Sequence, residues 1–208
     1  MTFKQKLENF KYYYKWHTII AIFVIFLAVI GIKSCVESKE PDINILYVSD
    51  KYVQNDAGEK FQKQLSENKL MTDVNKDGKE YFYFEPVIIS FDGNDSQNFA
   101  VYQKLQVQMF AGQQSIMLVH QYVLEDYDGA FENIGDYAKE DDKTFVGNQE
   151  FVTGISVEGN KFLEDIGINT ENLYVAMHVR TEKQIKKGEL EDEYKQAYKI
   201  LEFILKNQ

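Results

Sequence analysis

The stretch Ile43–Ser49, with the sequence INILYVS, decides the fold because it is apolar and rich in strand-forming residues. A helix is predicted next, over residues 56–69, where Ala57, Phe61 and Leu65 follow helical spacing. A second strand region is predicted over residues 81–91. Pro86 lacks a backbone N–H, so it either breaks this strand or places it at an edge of a sheet.

The rest of the domain continues the alternation of strands and helices. Helices are predicted over 94–111, 122–127 and 189–207, and strands over 116–120, 151–157 and 173–180, with an irregular acidic stretch over 129–148. The expected buried faces are Phe99, Tyr102, Leu105 and Met109 in one long helix, and Leu190, Tyr194, Ala197, Leu201 and Ile204 in the other. Asn94-Asp95-Ser96 supplies the cap of the first of these helices, and Gly112 ends it. The pattern predicts a single α/β domain of three layers with a mixed, partly parallel sheet, preceded by one transmembrane helix.

An unbroken apolar run, Ile19–Ile32, indicates the N-terminal membrane helix. Its 14 residues would rise only about 21 Å as a helix. Three tyrosines at 12–14 and Trp16 form an aromatic cluster at the interface, and Lys15 and Lys33 flank the run. Counted over residues 16–36, the helix rises about 31 Å, which is enough to span a bilayer.

Charge predicts the orientation of the chain. Residues 1–39 carry a net charge of +4, whereas residues 40–208 carry −14. Because basic segments stay in the cytoplasm, residues 1–15 are expected inside. Residues 16–36 are the anchor, 37–42 a short linker, and 43–208 an extracellular domain of a single-pass protein of the cell membrane.

Three fates of the N-terminal segment compete. An uncleaved signal anchor is favoured because the aromatic belt suits a retained helix. A lipoprotein is the second alternative, with Cys35 as the lipidated residue, although Lys33 fits such a signal poorly. A cleaved secretory signal is the third. Cys35 is the one cysteine of the chain, so an internal disulfide is excluded.

Several functional classes have little support in the sequence. The acidic domain would repel phosphate, which argues against nucleic acid as a partner. His17, His120 and His178 are widely separated and lack the spacing of a zinc site. The tripeptide Gly154-Ile155-Ser156 lacks the second glycine of a hydrolase nucleophile elbow.

The stretch Asp73–Gly78, with the sequence DVNKDG, is the best candidate site. Asp73, Asn75 and Asp77 occupy alternating positions of a calcium loop, and Gly78 is the turn residue. A complete EF-hand would need Glu at the position of Phe84, so calcium here would be held by a loop that leads into a strand. The alternative is an ordinary turn between helix and strand. Calcium is the one cofactor that the sequence suggests; a second acidic turn over 91–95 is typical of a helix cap.

Two resemblances add to these patterns. The stretch Phe3–Thr18, FKQKLENFKYYYKWHT, resembles the start of a group of uncharacterised, membrane-anchored bacterial proteins. The domain resembles one lobe of a type 2 extracellular solute-binding protein at Ala111-Gly112, IMLV over 116–119, YVLE over 122–125 and GAFENI over 129–134. Such proteins close two lobes around a ligand, and residues 43–208 leave no room for a second lobe. No ligand-binding residue is therefore carried over.

These observations favour a membrane-tethered extracytoplasmic module that binds a small ligand or a partner protein and is not an enzyme. Calcium would stabilise it if the Asp73–Gly78 loop binds the ion. One alternative is a structural or assembly subunit of an envelope complex, with Tyr81–Phe84 as its interface. The other is a cell-surface hydrolase that uses some of the many carboxylates.

Overall fold

The computed structural model describes residues 3–37, 41–90, 96–111, 114–180 and 190–208. The chain divides into two compact units, residues 1–40 and 41–208. The first unit is one helix, α1 (Phe3–Glu37). Within it, Tyr12–Gly31 is long and apolar enough to cross a membrane, and its side chains are exposed. That finding suits an anchor and a signal sequence alike.

The second unit is built on one sheet of six strands in the order β2-β1-β3-β6-β5-β4. The strands are β1 (Ile43–Ser49), β2 (Phe82–Ile88), β3 (Ile116–His120), β4 (Thr144–Val146), β5 (Val152–Ser156) and β6 (Leu173–Met177). β1 lies parallel to β2 and to β3, and the pairs β3–β6, β6–β5 and β5–β4 are antiparallel. The predicted mixed, partly parallel sheet is confirmed.

Helices cover both faces of this sheet, which gives the predicted three layers. They are α2 (Ala57–Glu67), α3 (Ser96–Ala111), α4 (Gln121–Asp126), α5 (Lys161–Asp165) and α6 (Leu190–Lys206). One face packs against α2, α5 and α6, and the other against α3 and α4. On the first face, Phe61 and Leu65 of α2 are fully buried. Each such side chain contributes about 1.5–3 kcal/mol by leaving water.

The expected buried faces of the two long helices are confirmed with one exception. Tyr194, Ala197, Leu201 and Ile204 are buried in α6; the side chain of Leu190, like Asn94, Asp95 and Gly112, lies outside the described part of the chain. In α3, Leu105 and Met109 are buried, but Phe99 is 68% exposed, so its prediction as a core residue is wrong. At 100° per residue, Phe99 points about 100° away from the centre of the buried stripe.

The stretch over 129–148 is irregular, as expected, but it also contains β4, which the sequence pattern missed. Two short 3₁₀ turns, Asp128–Ala130 and Gly135–Tyr137, precede that strand. Within the stretch, the side chains of Phe131 and Ile134 are buried. A three-residue strand is too short for alternation to reveal it.

Pro86 lies in β2, which is an edge strand, as predicted. The N–H of Ile89 donates to the carbonyl of Ser49 at 2.9 Å. Because strand amides alternate in direction, odd-numbered residues of β2 face β1 and even-numbered residues face outward. Pro86 is therefore one of the outward-facing residues. Its missing N–H removes no hydrogen bond to β1, and it discourages pairing of another strand with the free edge of β2.

Candidate functional site

The strand order reverses at β1, and this creates a crevice. The connection through α2 leads from β1 to β2 on one side, and the connection through α3 leads from β2 to β3 on the other. In open α/β sheets, ligands bind outside the carboxyl ends of the strands at such a switch point. The residues that meet there are Asp50 and Lys51 after β1, His120 and Tyr122 at the end of β3, and Glu171 before β6. We call this group the switch-point crevice.

Ion pairs organise the mouth of the crevice. Lys51 Nζ lies 3.2 Å from Glu171 Oε2 and 3.6 Å from Asp50 Oδ2. The hydrogen bond with Glu171 and the nearby Asp50 charge raise the pKa of Lys51. Ser49 Oγ accepts from the N–H of Lys51 at 3.2 Å, which fixes the backbone as it leaves β1. The crevice thus carries one ammonium group between two carboxylates.

His120 lies at the carboxyl end of β3, near Asp50, Lys51 and Glu171. Its side chain is buried, and Nδ1 accepts from the N–H of Tyr122 at 3.4 Å, which caps α4. The two rings stack with centroids 5.0 Å apart. Burial lowers the pKa of His120, and the negative charge of Asp50 opposes this only in part. The ring is therefore neutral at pH 7 and presents an uncharged, aromatic surface.

A cavity of about 650 Å³ adjoins the crevice and shares Glu171 with it. Its other lining residues include Tyr52, Gln54, Glu158, Gly159 and Glu164. Thr170 Oγ1 donates to Glu164 at 2.9 Å and accepts from the N–H of Gly159 at 3.0 Å, so one wall is internally bonded. We call this space the glutamate cavity.

Gly167 allows the glutamate cavity to form. Its φ is +90°, a left-handed conformation that favours glycine. A Cβ there would lie 2.5 Å from the side chain of Gln54. The carbonyl of Gly167 accepts from the N–H of Gln54 at 3.2 Å, which joins the turn after α5 to the segment before α2.

The predicted calcium loop lies at the opposite, amino edge of the sheet, before β2. The N–H of Asp77 donates to Asp73 Oδ1 at 3.1 Å and to Asn75 Oδ1 at 2.9 Å, whereas Asp77 Oδ1 accepts from the N–H of Lys79 at 2.8 Å. The N–H of Gly78 donates to Asp73 Oδ2 at 2.8 Å. Among the described residues, no three His, Cys, Asp or Glu side chains form a metal-binding group. The loop offers two carboxylates and the amide of Asn75, and calcium binding stays a prediction.

Asp42 holds this loop, and sequence reasoning missed it. Asp42 as a whole is 2% exposed, and its carboxylate accepts from the N–H groups of Val74, Asn75 and Tyr81 at 2.7, 3.1 and 2.7 Å. These partners are 32 to 39 residues away in the chain, so no local pattern could indicate them. The second acidic turn, residues 91–95, lies outside the described residues.

The two histidines of the domain are not brought together. His120 ends β3 at the carboxyl edge, whereas His178 follows β6 at the amino edge. Both ring nitrogens of His178 contact backbone carbonyls: Nδ1 that of Val179 at 2.8 Å and Nε2 that of Met109 at 2.7 Å. His178 therefore joins the end of α3 to the end of β6.

Comparison of the chain with protein-family models, with curated proteins and with solved structures found no match. The resemblance to a solute-binding lobe accordingly stays a prediction. The crevice could have been found from sequence only with the strand order in hand, because its residues come from three separate strand ends.

Proposed function

We propose that this protein is a membrane-tethered module whose domain binds a ligand or partner outside the cytoplasm, without catalysing a reaction. The observation that carries the proposal is the switch-point crevice, where Lys51, His120 and Glu171 meet beside a cavity of about 650 Å³. A crevice at this place in an α/β sheet is the usual binding site of the architecture.

The tether is supported by α1 and by charge. Tyr12–Gly31 is long and apolar enough to span a bilayer. The +4 charge of residues 1–39 favours a cytoplasmic N-terminus, which leaves the acidic domain outside.

The side chains that line the glutamate cavity suit a ligand that donates hydrogen bonds. Carboxylates of Glu158, Glu164 and Glu171 are acceptors, and the ring of Tyr52 is 88% exposed beside them. Ammonium, guanidinium and hydroxyl groups match such a surface, through charge-assisted hydrogen bonds and contact with the aromatic face. We therefore expect a cationic or polyhydroxylated group on the bound molecule.

Binding is favoured over hydrolysis, although the glutamate cavity is the feature that a carboxylate hydrolase would use. A general acid of a glycosidase needs a carboxyl that remains protonated near neutral pH, and burial in apolar surroundings is what achieves this. Glu158, Glu164 and Glu171 are all exposed, and Glu171 is paired with Lys51. None of the three lies in the apolar surroundings that a general acid requires, and all three can accept hydrogen bonds from a ligand.

The test is a pull-down of the intact protein from detergent-solubilised membranes, with calcium and with a chelator. Three variants are compared with the wild type: Lys51→Ala and Tyr52→Ala in the site, and Lys63→Ala on the exposed side of α2 as the matched control. We expect a bound component that the first two variants lose and the control retains. Identical recovery by all four proteins would place binding elsewhere.

A role as an assembly subunit has one observation in its favour, the exposed ring of Tyr83 on the edge strand β2. Its neighbour Tyr81 is only partly exposed, so the two do not form an open aromatic row. Pro86 on the outward side of β2 also discourages pairing with a partner strand. A Tyr83→Ser variant that leaves co-purifying envelope proteins unchanged would contradict this candidate.

A further inference from the structure

Tyr52 carries an exposed aromatic ring on a stretch of backbone that is held in place. The ring is 88% exposed and lines the glutamate cavity. Before it, the carbonyl of Lys51 accepts from the hydroxyl of Tyr47 at 3.3 Å. After it, the N–H of Gln54 donates to the carbonyl of Gly167 at 3.2 Å. Because hydrogen bonds hold the chain on both sides, the ring of Tyr52 is available to pack against a ligand.

Two amide side chains give the glutamate cavity hydrogen-bond donors as well as acceptors. Gln54 Oε1 accepts from Lys60 Nζ at 3.1 Å, and Asn169 Oδ1 accepts from the N–H of Glu171 at 2.9 Å. Both amide oxygens are thus bonded within the protein, and neither NH₂ group donates to another of the described residues. Since both side chains line the cavity, their NH₂ groups can donate to a ligand there.

The carboxylates of the same cavity already have partners within the protein. Lys51 Nζ lies 3.2 Å from Glu171 Oε2, and Lys143 Nζ lies 3.9 Å from Glu158 Oε2. Glu164 accepts from a threonine hydroxyl at 2.9 Å. The two lysines reduce the attraction of the cavity for a further cation, while the remaining carboxylate lone pairs can still accept hydrogen bonds.

This mixture of donors and acceptors matches a hydroxylated ligand better than a cationic one. Ammonium and guanidinium groups only donate, so a cation would leave the two amide NH₂ groups without an acceptor. A sugar hydroxyl both donates and accepts, and the C–H face of a sugar ring packs on an aromatic ring. The volume of about 650 Å³ lies within the range of small-molecule sites, about 300–1,000 Å³.

We propose that the glutamate cavity binds a neutral carbohydrate, with one sugar ring packed against Tyr52 and hydroxyls bonded to Gln54, Asn169 and the glutamates. This proposal rests on the proposed function, which places binding at this edge of the sheet, and it selects the hydroxylated ligand over the cationic one. Because the ligand carries no charge, its affinity is insensitive to salt.

The test is binding of the full-length protein to an array of short neutral oligosaccharides, with spermidine in solution as a cationic probe. The protein is kept in a zwitterionic detergent, because a detergent with a sugar headgroup would compete for the site. Calorimetry then measures the affinity for the bound oligosaccharide, and for spermidine, at about 0.05 M and about 0.5 M salt.

Three variants address the two kinds of contact. Tyr52→Phe keeps the ring and Tyr52→Ala removes it. Asn169→Asp keeps the oxygen that accepts from Glu171 and replaces the NH₂ donor by an acceptor. The matched controls are Tyr83→Ala, at an exposed tyrosine on β2, and Asn148→Asp, at an exposed residue after β4 at the amino edge.

We expect Tyr52→Phe and both controls to retain the oligosaccharide affinity of the wild type at either salt concentration. Tyr52→Ala and Asn169→Asp should each weaken it by about tenfold. Unchanged melting temperatures exclude misfolding as the cause, and the two positions test the site independently.

Three results would overturn the carbohydrate proposal. In the first, spermidine binding depends on Tyr52, weakens with salt and strengthens in Asn169→Asp, which leaves the proposed binding function intact. In the second, oligosaccharide binding is unaffected by both Tyr52→Ala and Asn169→Asp. In the third, no oligosaccharide binds; a pulled-down component that still depends on Tyr52 then preserves the proposed function, and its absence contradicts that function as well.

Discussion

Replacing Asp42 should destabilise the domain more than any exposed acidic substitution, because this buried carboxylate satisfies three backbone amides. The acceptor distances are 2.7 Å to Val74, 3.1 Å to Asn75 and 2.7 Å to Tyr81. A hydrogen bond to a charged group contributes about 1.5–3 kcal/mol, and water that reaches the freed amide recovers part of this. If about 1 kcal/mol is lost at each of the three amides, Asp42→Ala should lower the free energy of unfolding by about 3 kcal/mol.

Asp42→Asn separates the contributions of the two carboxylate oxygens. Oδ1 accepts from Val74 and Asn75, and an amide oxygen in the same place keeps both bonds. The amide NH₂ then faces the N–H of Tyr81, so that one bond is lost. We expect a loss of about 1–2 kcal/mol for this variant, between the wild type and Asp42→Ala.

The assay is thermal and urea unfolding of the full chain in a mild detergent, followed by circular dichroism. A loss of 3 kcal/mol corresponds to a melting temperature lower by about 6–12 °C for a chain of this size. Asp56→Ala is the control, since Asp56 makes no side-chain cap bond and only an exposed ion pair with Lys60 at 3.0 Å. It should change stability by less than about 0.5 kcal/mol. Equal effects of Asn and Ala at position 42, or an effect no larger than the control, would refute the reasoning.

The remaining predictions concern metal, pH and the anchor. Millimolar calcium should raise the melting temperature of the wild type but not of Asp77→Ala; no shift at all would remove the calcium hypothesis. Burial raises the pKa of Glu193, which accepts from Ser115 Oγ, so folding disfavours its ionised form and stability should fall as pH rises through that pKa. Glu193→Gln should therefore be more stable than the wild type at pH 7 and converge with it near pH 4. A difference in stability that stays constant over this pH range would contradict the argument. The chain should stay with membranes through an alkaline wash, and release of the domain would contradict an uncleaved anchor.

Much of the fold could be predicted because most elements are locally encoded. β1 spans Ile43–Ser49 in the sequence pattern and in the structure alike, since all of its residues except Asn44 and Ser49 are apolar. The stripe of α6 is regular enough to name Tyr194, Ala197 and Leu201 as core residues in advance. Phe99 was misassigned because, at 100° per residue, it lies about 100° from the centre of the buried stripe of α3. β4 is too short to generate a periodic signal.

Whether a site could be predicted from sequence likewise depends on how close its residues lie along the chain. Asp73, Asn75 and Asp77 could be grouped from sequence because a loop brings residues two apart together by itself. Lys51, His120 and Glu171 could not, since 69 residues separate the first two and 51 the last two. Only the order of the strands brings them to one crevice. Asp42 is intermediate: it lies next to a predicted strand, but its role depends on a loop more than 30 residues away.

The placement of the two sites also separates their roles. The Asp42-bound loop lies at the amino edge and the switch-point crevice at the carboxyl edge, so the seven residues of β1, about 20 Å, lie between them. Sites this far apart without shared partners act additively on stability. Calcium at the loop would then stabilise the amino edge of the sheet without altering the affinity of the crevice.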